Sequence, residues 1–594
     1  MSETKEKLFK GGGFLVEDLT GDDVITPEDF TEEHRMIAQT TEDFVEGEVL
    51  PKLDQLENHE FEHSVDLLKK AGELGLLSAD IPEEYGGLEL DKISSSLITE
   101  KFSNAGGFSV THGAHVGIGT LPIVFFGNDE QKEKYLPKLA TGELLAAYAL
   151  TEPGSGSDAL GAKTTAKLNE AGTHYILNGE KQWITNSAFA DVFIVYAKID
   201  GEHFSAFIVE RDFPGVSTGP EEVKMGIKSS STRTLILEDA EVPVENLLGE
   251  KGKGHKIAFN ILNVGRYKLA IGGVGGAKRG IELATKYVNE RKQFGTSISN
   301  FTLTQEKLGT MAANTYANES AVYRTVGLFE QRMGSMTDDE LKDGREVARA
   351  IAEYQIECSM NKYMCTELLD YVTDEAVQMH GGYGFMEEYE VARMYRDSRI
   401  NRIFEGTNEI NRLLVPGTLL KKAMKGELPL LEKAENLQEE LMMMMPEEPG
   451  IEPLEQEKYL LRNAKKIVLL GAGLAAQKYM QKIENEQEIL ANLADIVAEI
   501  YNMESAILRT EKAFNKTGEE KNKQKLLYTQ VYAQEAFNRI EAAAKEILVA
   551  VEEGDNLRMM LSSLRKLTRH TPINVIAKKR EIAKTIIAEE KYVV

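Results

Sequence analysis

The chain of 594 residues has little that would cross-link it, anchor it or give it positive charge. Its only cysteines, Cys358 and Cys365, lie seven residues apart in a segment with a helical pattern. They cannot pair there without distorting the helix, so a disulfide framework is excluded and a reducing compartment is favoured. No window approaches eighteen uninterrupted apolar residues, so no membrane-spanning helix is predicted. The 69 Lys and Arg residues face 96 Asp and Glu residues, and the net charge of −27 argues against nucleic acid binding.

What is present is the composition of a folded, soluble protein. Hydrophobic residues make up 42% of the chain and charged residues 28%, and only 15 residues are proline. The length is too great for one hydrophobic core, so we expect three or four folding units. The stretch from Met1 to Asp23 resembles neither a secretory signal nor an Arg- and Ser-rich transit peptide. We therefore expect a cytoplasmic protein, although a mature organelle protein without its leader would look similar.

The periodicity of apolar residues changes twice along the chain. Helical spacing precedes about residue 147 and returns near residue 256. Between them, short β-rich segments with Gly and Asp turns predict a small antiparallel sheet. A run rich in Met, Pro and acidic residues at Leu441–Pro453 indicates a linker. The sequence therefore predicts an α+β, mostly α protein. Its units are a lead segment (1–30), a helical domain (31–147), a central β domain (148–255), a helical domain (256–425), a linker (426–458) and an extra helical domain (459–594).

Two glycine patterns imitate nucleotide-binding loops without meeting their requirements. Lys466–Ala476 places Gly471 and Gly473 after an apolar run, but a continuous helical pattern follows where a dinucleotide site needs a second strand. Gly249–Lys256 lacks the Gly-Lys-Ser/Thr ending of a phosphate-binding loop. We interpret the first as part of a helix and the second as a turn.

Two segments of the β region could contact a ligand. Tyr148–Leu160 combines glycine, proline and hydroxyl residues, which let backbone N–H groups approach a ligand closely, although an ordinary turn between domains has the same composition. Lys181–Ser187 carries Trp183, the only tryptophan. That side chain is either a core residue or a wall against a planar aromatic cofactor.

A third segment, Asn401–Leu414, holds one carboxylate among apolar neighbours. Glu405 follows Phe404 and precedes Thr407 and Asn408, either of which can cap the next helix, so Glu405 is expected on a bend. In a dry pocket its pKa would rise and it could act as a base. The alternative is a surface Glu at a helix entry.

Together these segments resemble the acyl-CoA dehydrogenase family in order and spacing. The matching pieces are YALTEPGSGSDA, KQWITNSAFAD, KMGIKSSSTRTLILEDAEVPVENLLGE, ERKQFG, AVQMHGGYGF and RIFEGTNE. The resemblance implies an N-terminal helical domain, a small β-barrel-like domain and a C-terminal four-helix bundle. The pieces NVGRYKL, FTLTQEKL, THGAHVGIG and ENEQEILANLADIVAEIYNM are most similar to the very-long-chain type. Its extra helical domain implies a homodimer.

The resemblance also implies a reaction, the α,β-dehydrogenation of a long-chain fatty acyl-CoA to trans-2-enoyl-CoA, the first step of fatty acid β-oxidation. Glu405 matches the base that removes the α-proton, and the β-hydrogen passes as hydride to N5 of FAD. Some members place the base just before the arginine matched by Arg266, where this chain has Gly265. Phe404 stands where many medium-chain members have Tyr. No metal is implied.

Further residues match the family's contacts. Those implied for FAD are Tyr148, Leu150, Thr151, Ser157, Trp183, Thr185, Arg291, Gln378, Gly381, Gly382, Thr407 and Glu409. Arg291 would reach the FAD of the neighbouring subunit. Those implied for the acyl-CoA are Ser157, Arg266, Phe404 and Gly406, although Arg266 could instead be a structural ion-pair residue.

The partners implied are an electron-transferring flavoprotein and the acyl-CoA substrate. An oxidase-like reaction with oxygen and a non-catalytic assembly factor of the same fold are the alternatives, and intact Glu405 disfavours the second. Peripheral membrane contact through Leu441–Met445 is disfavoured because Glu439, Glu440, Glu447 and Glu448 flank it, whereas helices on anionic lipids are basic. A Met-rich linker packed on the protein is the preferred interpretation.

Overall fold

A computed structural model describes residues 8–443 and 449–594 of the chain. The membrane contact disfavoured for Leu441–Met445 depends partly on residues 444–445, which lie outside the described residues. Among the helices described, none is both long enough and apolar enough to cross a bilayer. Cys358 and Cys365 lie in one helix, Gln355–His380, as buried free thiols.

The N-terminal helical domain begins where Thr31 caps its first helix by accepting a hydrogen bond from the His34 N–H. Two π-helical turns, Val45–Val49 and Ala114–Gly119, interrupt it. The second turn continues directly from the helix Phe108–Gly113 and packs against the strand Ala146–Ala149 and the helix Gly254–Glu290. The helices are α1 (Glu32–Phe44), α2 (Leu53–Glu57), α3 (Glu62–Glu73), α4 (Lys92–Phe102), α5 (Phe108–Gly113), α6 (Leu121–Phe126) and α7 (Asp129–Thr141).

The central domain is one eight-stranded sheet in the order β6-β7-β3-β2-β4-β5-β8, with β1 paired to β4. An antiparallel sheet was expected, and this is wrong for two pairs, because β1 and β2 each run parallel to β4. The strands are β1 (Ala146–Ala149), β2 (Thr165–Leu168), β3 (His174–Thr185), β4 (Val192–Ile199), β5 (His203–Glu210), β6 (Val216–Thr218), β7 (Thr232–Pro243) and β8 (Leu247–Leu248).

The third unit is helical, with α8 and α12 packed along each other and against α9. The helical pattern from Glu340 to His380 is divided among α10, α11 and α12. A two-stranded hairpin, β9 (Lys292–Gln293) and β10 (Thr296–Ser297), follows α8. The helices are α8 (Gly254–Glu290), α9 (Thr302–Gly334), α10 (Asp338–Lys342), α11 (Gly344–Ala352), α12 (Gln355–His380), α13 (Glu390–Ser398) and α14 (Asn408–Met424).

The last helices add a further layer on α9 and α14. Gly471 and Gly473 lie inside α16, so the interpretation of their motif as a helix is confirmed. The helices are α15 (Leu430–Met443), α16 (Glu455–Tyr479), α17 (Gln487–Thr517), α18 (Lys523–Val551), α19 (Gly554–Leu567) and α20 (Val575–Glu589). The predicted α+β, mostly helical architecture with an extra C-terminal helical region is confirmed.

Candidate active site

A cavity of about 230 Å³ lies where the N-terminal helical domain, the sheet and the helical bundle meet; we call it the Glu405 cavity. Glu405 lines it together with Thr185 from β3. Much of the remaining wall consists of small or apolar residues. These include Val110, Gly113, Ala114, Gly117, Ile118, Val264, Leu269, Gly272 and Phe404. Such a wall suits an extended apolar ligand better than a polar one.

Two glycines, Gly113 and Gly117, keep part of the cavity wall open, and we call them the glycine wall. A Cβ added at Gly113 or Gly117 would meet no atom within 4 Å. Gly117 is itself buried, on the π-helical turn after α5. The space in front of it therefore belongs to the cavity, and a larger residue there would fill it.

Glu405 sits on the predicted bend, immediately before α14. Its φ is +57° and that of Gly406 is +80°, a left-handed pair that turns the chain sharply. Thr407 caps α14, because its Oγ1 accepts a hydrogen bond of 3.3 Å from the Ile410 N–H. The left-handed conformation is costly for a glutamate, so the surrounding contacts must hold it.

Those contacts converge on two carbonyl oxygens of the bend. The Glu405 carbonyl accepts from Arg266 Nε and Asn411 Nδ2, both at 3.4 Å. The Gly406 carbonyl accepts from Asn411 Nδ2 and from Lys362 Nζ, both at 2.8 Å. The bend is thus held from α8, α12 and α14 at once.

The carboxylate of Glu405 occupies the space over Gly265. A Cβ placed on Gly265 would lie 2.5 Å from Glu405 Oε2, so only glycine leaves room for this carboxylate. Oε2 is buried and has no hydrogen-bond partner among the described residues. Burial raises the pKa of Glu405 to about 7, although Arg266 and Lys362 act to lower it. A carboxylate with this pKa can exchange a proton near neutral pH.

The two ligand-binding segments predicted in the β region are neighbours. The Gln182 N–H donates to the Thr151 carbonyl at 2.8 Å, which joins the loop after β1 to the end of β3. Trp183 has a φ of +58° at an irregularity of β3 and is 59% exposed. Tyr148 is close enough for the Glu405 charge to raise its pKa, in addition to the larger effect of burial. The Trp183 ring is therefore exposed on the surface, and the interpretation of it as a core residue is wrong.

A buried ion pair fixes this loop. Lys181 Nζ lies 2.7 Å from Glu152 Oε1, and the Lys181 side chain is fully buried. The same carboxylate accepts from the Lys163 N–H and from the N–H and hydroxyl of Thr164. Burial opposes ionisation, but these bonds lower the pKa of Glu152 overall. The pair holds the loop while leaving Ser157 exposed.

The structure places another group of predicted residues outside the Glu405 cavity wall. Gln378 and Gly381 lie at the end of α12 and are exposed, and Gly382 follows them. The Arg291 guanidinium stacks over the Tyr383 ring at 5.6 Å from its centroid. These residues form a separate surface next to the hairpin that follows α8.

Three more of the predicted ligand-binding residues, Arg266, Leu150 and Glu409, differ from one another in how far they are buried. Arg266 is buried, and its Nη1 donates to Asn263 Oδ1 at 3.1 Å. Within the described part of the chain it forms no ion pair with a carboxylate within 4.0 Å, which does not support a structural ion-pair role. Leu150 is buried beside the loop, and Glu409 is exposed in the first turn of α14.

Sequence reasoning did not find Lys362, Asn411 or the glycine wall. Lys362 is a lone lysine in an otherwise buried stretch of α12, and that contrast with its neighbours could have identified it. Asn411 is indistinguishable in sequence from any polar residue in the first turn of a helix. The run of small residues in THGAHVGIG is the visible trace of the glycine wall.

An apolar cavity with an unpartnered, titratable carboxylate is typical of an enzyme that removes a proton from a substrate with a long apolar part. Four family models match most of the chain, and they identify which class of enzyme this is. They are the acyl-CoA dehydrogenase N-terminal domain (31–143), middle domain (147–240) and C-terminal domain (252–420), and a second acyl-CoA dehydrogenase C-terminal domain (463–566). The chain belongs to the acyl-CoA dehydrogenase family.

Individual relatives agree with this assignment. A probable acyl-CoA dehydrogenase of Bacillus subtilis (strain 168) is 72% identical over 594 residues, covering 100% of both chains. The crystal structure of an acyl-CoA dehydrogenase complexed with FAD from Bacillus anthracis has 73% identity and a TM-score of 0.97. The match covers 98% of this chain and 100% of that one. The very long-chain specific acyl-CoA dehydrogenase of Bos taurus is 42% identical, over 64% of this chain and 56% of its own. The resemblance to the very-long-chain type is thereby confirmed.

This protein is a flavoprotein oxidoreductase whose cofactor is FAD. The structure fits the flavin. Trp183 offers a large planar face beside the loop that contains Thr151, and planar rings stack well on such a face. In the same loop, Gly154 and Gly156 have open space at the Cβ position, so a flat ring system can approach the backbone.

Proposed function

We propose that this enzyme forms trans-2-enoyl-CoA from long-chain fatty acyl-CoA, with Glu405 as the base that removes the α-proton. The observation that carries the proposal is the buried, unpartnered Oε2 of Glu405 at the wall of an apolar cavity. Above its pKa of about 7 the carboxylate is ionised and can take the proton. Because a base must be ionised, the rate of flavin reduction should rise with pH through about 7.

The backbone of the same residue would assist the reaction. An α-proton of a thioester is too weakly acidic for an unassisted carboxylate, so the carbonyl must be polarised. Among residues 8–443 and 449–594, nothing accepts a hydrogen bond from the Glu405 N–H, which leaves it available to the thioester oxygen. As the α C–H bond breaks toward Glu405, its electrons form the double bond and the β-hydrogen departs with its electron pair. When bound, FAD supplies the acceptor for that hydride.

Two sets of residues would hold the ligands. For FAD we propose Tyr148, Leu150, Thr151, Ser157, Trp183, Thr185, Gln378, Gly381, Gly382, Thr407, Glu409 and Arg291, the last from the neighbouring subunit. For acyl-CoA we propose Ser157, Arg266, Phe404 and Gly406. A homodimer is supported by exposed apolar rings beside Arg291, since Phe294 is 94% exposed and Phe385 80%.

Preference for long chains is supported by the glycine wall, since Gly113 and Gly117 leave the cavity open. We further propose an electron-transferring flavoprotein as the acceptor, fatty acid β-oxidation as the pathway and the cytoplasm as the location. The relatives whose names are very long-chain specific acyl-CoA dehydrogenase support the long-chain part of the proposal.

The test is an anaerobic titration of the yellow protein with palmitoyl-CoA and, in parallel, octanoyl-CoA, followed by flavin absorbance. We expect stoichiometric bleaching, stronger with palmitoyl-CoA, and a loss of about 10³-fold in reduction rate in Glu405→Gln. Rapid recolouring in air would favour oxygen as the acceptor. Bound flavin that neither thioester bleaches would overturn the proposal in favour of a non-catalytic role.

A further inference from the structure

Lys362 is a buried lysine beside the reacting carboxylate. It lies on α12 and has no exposed surface. Its Nζ donates to the Gly406 carbonyl and to Asn408 Oδ1, both at 2.8 Å. A lysine is rarely buried so completely without a carboxylate at hydrogen-bond distance, and here a backbone carbonyl and an amide oxygen take that place.

The partners of Lys362 are themselves held in place. Asn408 Nδ2 donates to Thr366 Oγ1 at 3.1 Å and to Glu367 Oε1 at 3.0 Å, which fixes the side-chain oxygen toward Lys362. Asn411 Nδ2 donates to the same Gly406 carbonyl. Lys362 therefore contacts the residue directly after Glu405 from α12 and is one of the side chains that hold the bend.

The charges around this pair come from several elements. The groups whose charges act on Lys362 are Glu405 in the bend, Arg266 on α8, Glu367 on α12 and Glu409 on α14. Those that act on Glu405 are Arg266 and Lys362. The charge of Glu405 in turn acts on Tyr148, on β1. The charged residues farther along the cavity wall are Lys268, Arg279, Glu390, Arg393 and Asp397.

We propose that Lys362 is a positioning residue for proton abstraction, which fixes the Gly406 carbonyl and thereby aims Glu405, and whose positive charge favours the ionised carboxylate. The inference rests on the proposed role of Glu405 as the base. The arrangement separates two tasks: Arg266 and Asn411 hold the Glu405 carbonyl, whereas Lys362 and Asn411 hold the next one. Of these, Lys362 can lose its charge near neutral pH.

The electrostatics support this geometry. Burial lowers the pKa of Lys362 to about 7, while the charge of Glu405 raises it. The pKa of Glu405 is also about 7, so the two groups titrate in the same range and each depends on the other. Removing the lysine charge should raise the pKa of Glu405, because the carboxylate loses a stabilising cation. Less of the base is then ionised at pH 7.

The test compares wild type, Lys362→Met and Lys362→Gln as FAD-loaded proteins. In Lys362→Met we expect reduction by palmitoyl-CoA at pH 7 to slow at least about 10-fold and the half-maximal pH to rise by about one unit. Lys362→Gln retains a donor for the Gly406 carbonyl without charge. Lys362→Gln should recover part of the reduction rate at high pH but should show the same upward shift of the half-maximal pH. The two variants thereby separate the effect of positioning Glu405 from the effect of the lysine charge.

A second readout does not require turnover. The protonated carboxyl band of Glu405, isolated as the infrared difference between each protein and its Glu405→Gln counterpart, is titrated with pH. Its midpoint should also move upward when Lys362 is replaced. If wild type is not reduced by any acyl-CoA, the proposed function fails, while this titration still decides the coupling of Lys362 to Glu405.

The matched control is Lys422→Met. Lys422 is another buried lysine, near the far end of α14, and its Nζ donates to the Gly11 carbonyl at 3.0 Å and to Glu353 at 2.7 Å. Its replacement should lower the melting temperature without moving either pH midpoint. An unchanged pH profile and an unchanged carboxyl titration in whichever of Lys362→Met and Lys362→Gln folds would overturn the inference.

Discussion

Two buried carboxylates of this enzyme ionise in opposite ways. Glu405 has an unpartnered oxygen, and its pKa is raised to about 7 by burial. Glu319, on α9, is also buried, but Lys278 and Arg509 lie 2.5 Å and 2.7 Å from its oxygens. Burial would raise its pKa as well, yet these two cations lower it to about 2. Burial is common to both, so the hydrogen-bonded partners decide the outcome.

The comparison separates a structural region from a reactive one. Glu319 belongs to a paired-charge junction, formed with Glu28, Lys278 and Arg509, that joins the lead segment, the bundle and the added helices. Tyr592 near the C-terminus also donates to Glu319 at 2.9 Å. At Glu405 the corresponding donors bind backbone carbonyls and leave the carboxylate free to accept a proton.

The largest expected effect is at the junction. Glu319→Gln leaves Lys278 and Arg509 with one carboxylate fewer, so we expect a loss of about 3 to 5 kcal/mol in unfolding free energy at pH 7. The pKa of Glu319 is depressed, so its contribution is present above pH 4.5 and is lost as pH falls toward 2. Chemical denaturation at pH 7 and pH 4 measures the difference, which should shrink at the lower pH.

The contrasting variant is Glu405→Gln. The raised pKa means that ionised Glu405 destabilises the fold increasingly as pH rises from 4.5 through 7. At pH 8 the Gln variant should therefore melt higher than wild type, by the equivalent of about 1 to 3 kcal/mol, while catalysis is lost. Lower stability of both variants at pH 8 would show that the two sites do not differ in the proposed way.

The parts of the site visible in sequence are those set by local chemistry. Glu405 was placed on a bend because Gly406, Thr407 and Asn408 follow it, and Thr407 does cap α14. The raised pKa was expected from its apolar neighbours. The pairing of β1 and β2 with β4 was missed, because parallel pairing depends on contacts distant in sequence.

The parts that could not be seen depend on tertiary approach. Lys362 precedes Gly406 by 44 residues, and only the packing of α12 against the bend brings them together. A single tryptophan in a β segment is usually a core residue, so the sequence alone does not reveal that Trp183 is exposed. A left-handed residue at a β-bulge, which presents the ring outward, has no clear sequence signature.

The open space of the Glu405 cavity provides the next test of the comparison. Gly117 is buried, and a Cβ built on it has open space around it. Gly117→Leu should therefore place a side chain in that space. We expect kcat/KM for palmitoyl-CoA to fall about 10-fold or more relative to butyryl-CoA, because the filled cavity no longer accepts a long chain. Steady-state kinetics with both thioesters measure this ratio.

Gly47→Leu is the control for that substitution. Gly47 also lies in a π-helical turn and has no atom within 4 Å of an added Cβ, but it is exposed. Its replacement should leave the ratio of the two substrates unchanged. An equal loss with both thioesters in Gly117→Leu would mean that the glycine shapes the fold rather than the length of the cavity.

The smallest expected effect lies where the two regions meet. Asp495, in the added helices, accepts from Arg412 Nε at 2.7 Å, and Arg412 holds Glu367 at 2.7 Å and 2.8 Å. Glu367 in turn accepts from Asn408, the partner of Lys362. The Asp495 side chain is 41% exposed, so solvent screens its interaction with Arg412.

We therefore expect Asp495→Asn to slow flavin reduction at pH 7 by only about two-fold. Glu499→Gln is the matched control, since Glu499 lies one turn further along α17 and pairs with Arg539 at 2.6 Å instead of Arg412. A reduction rate that falls in Asp495→Asn and not in Glu499→Gln would extend the support of the bend into the added helices. Equal rates in both would confine that support to Glu367 and the residues nearer the bend, because an exposed partner of Arg412 then contributes nothing to the position of Glu405.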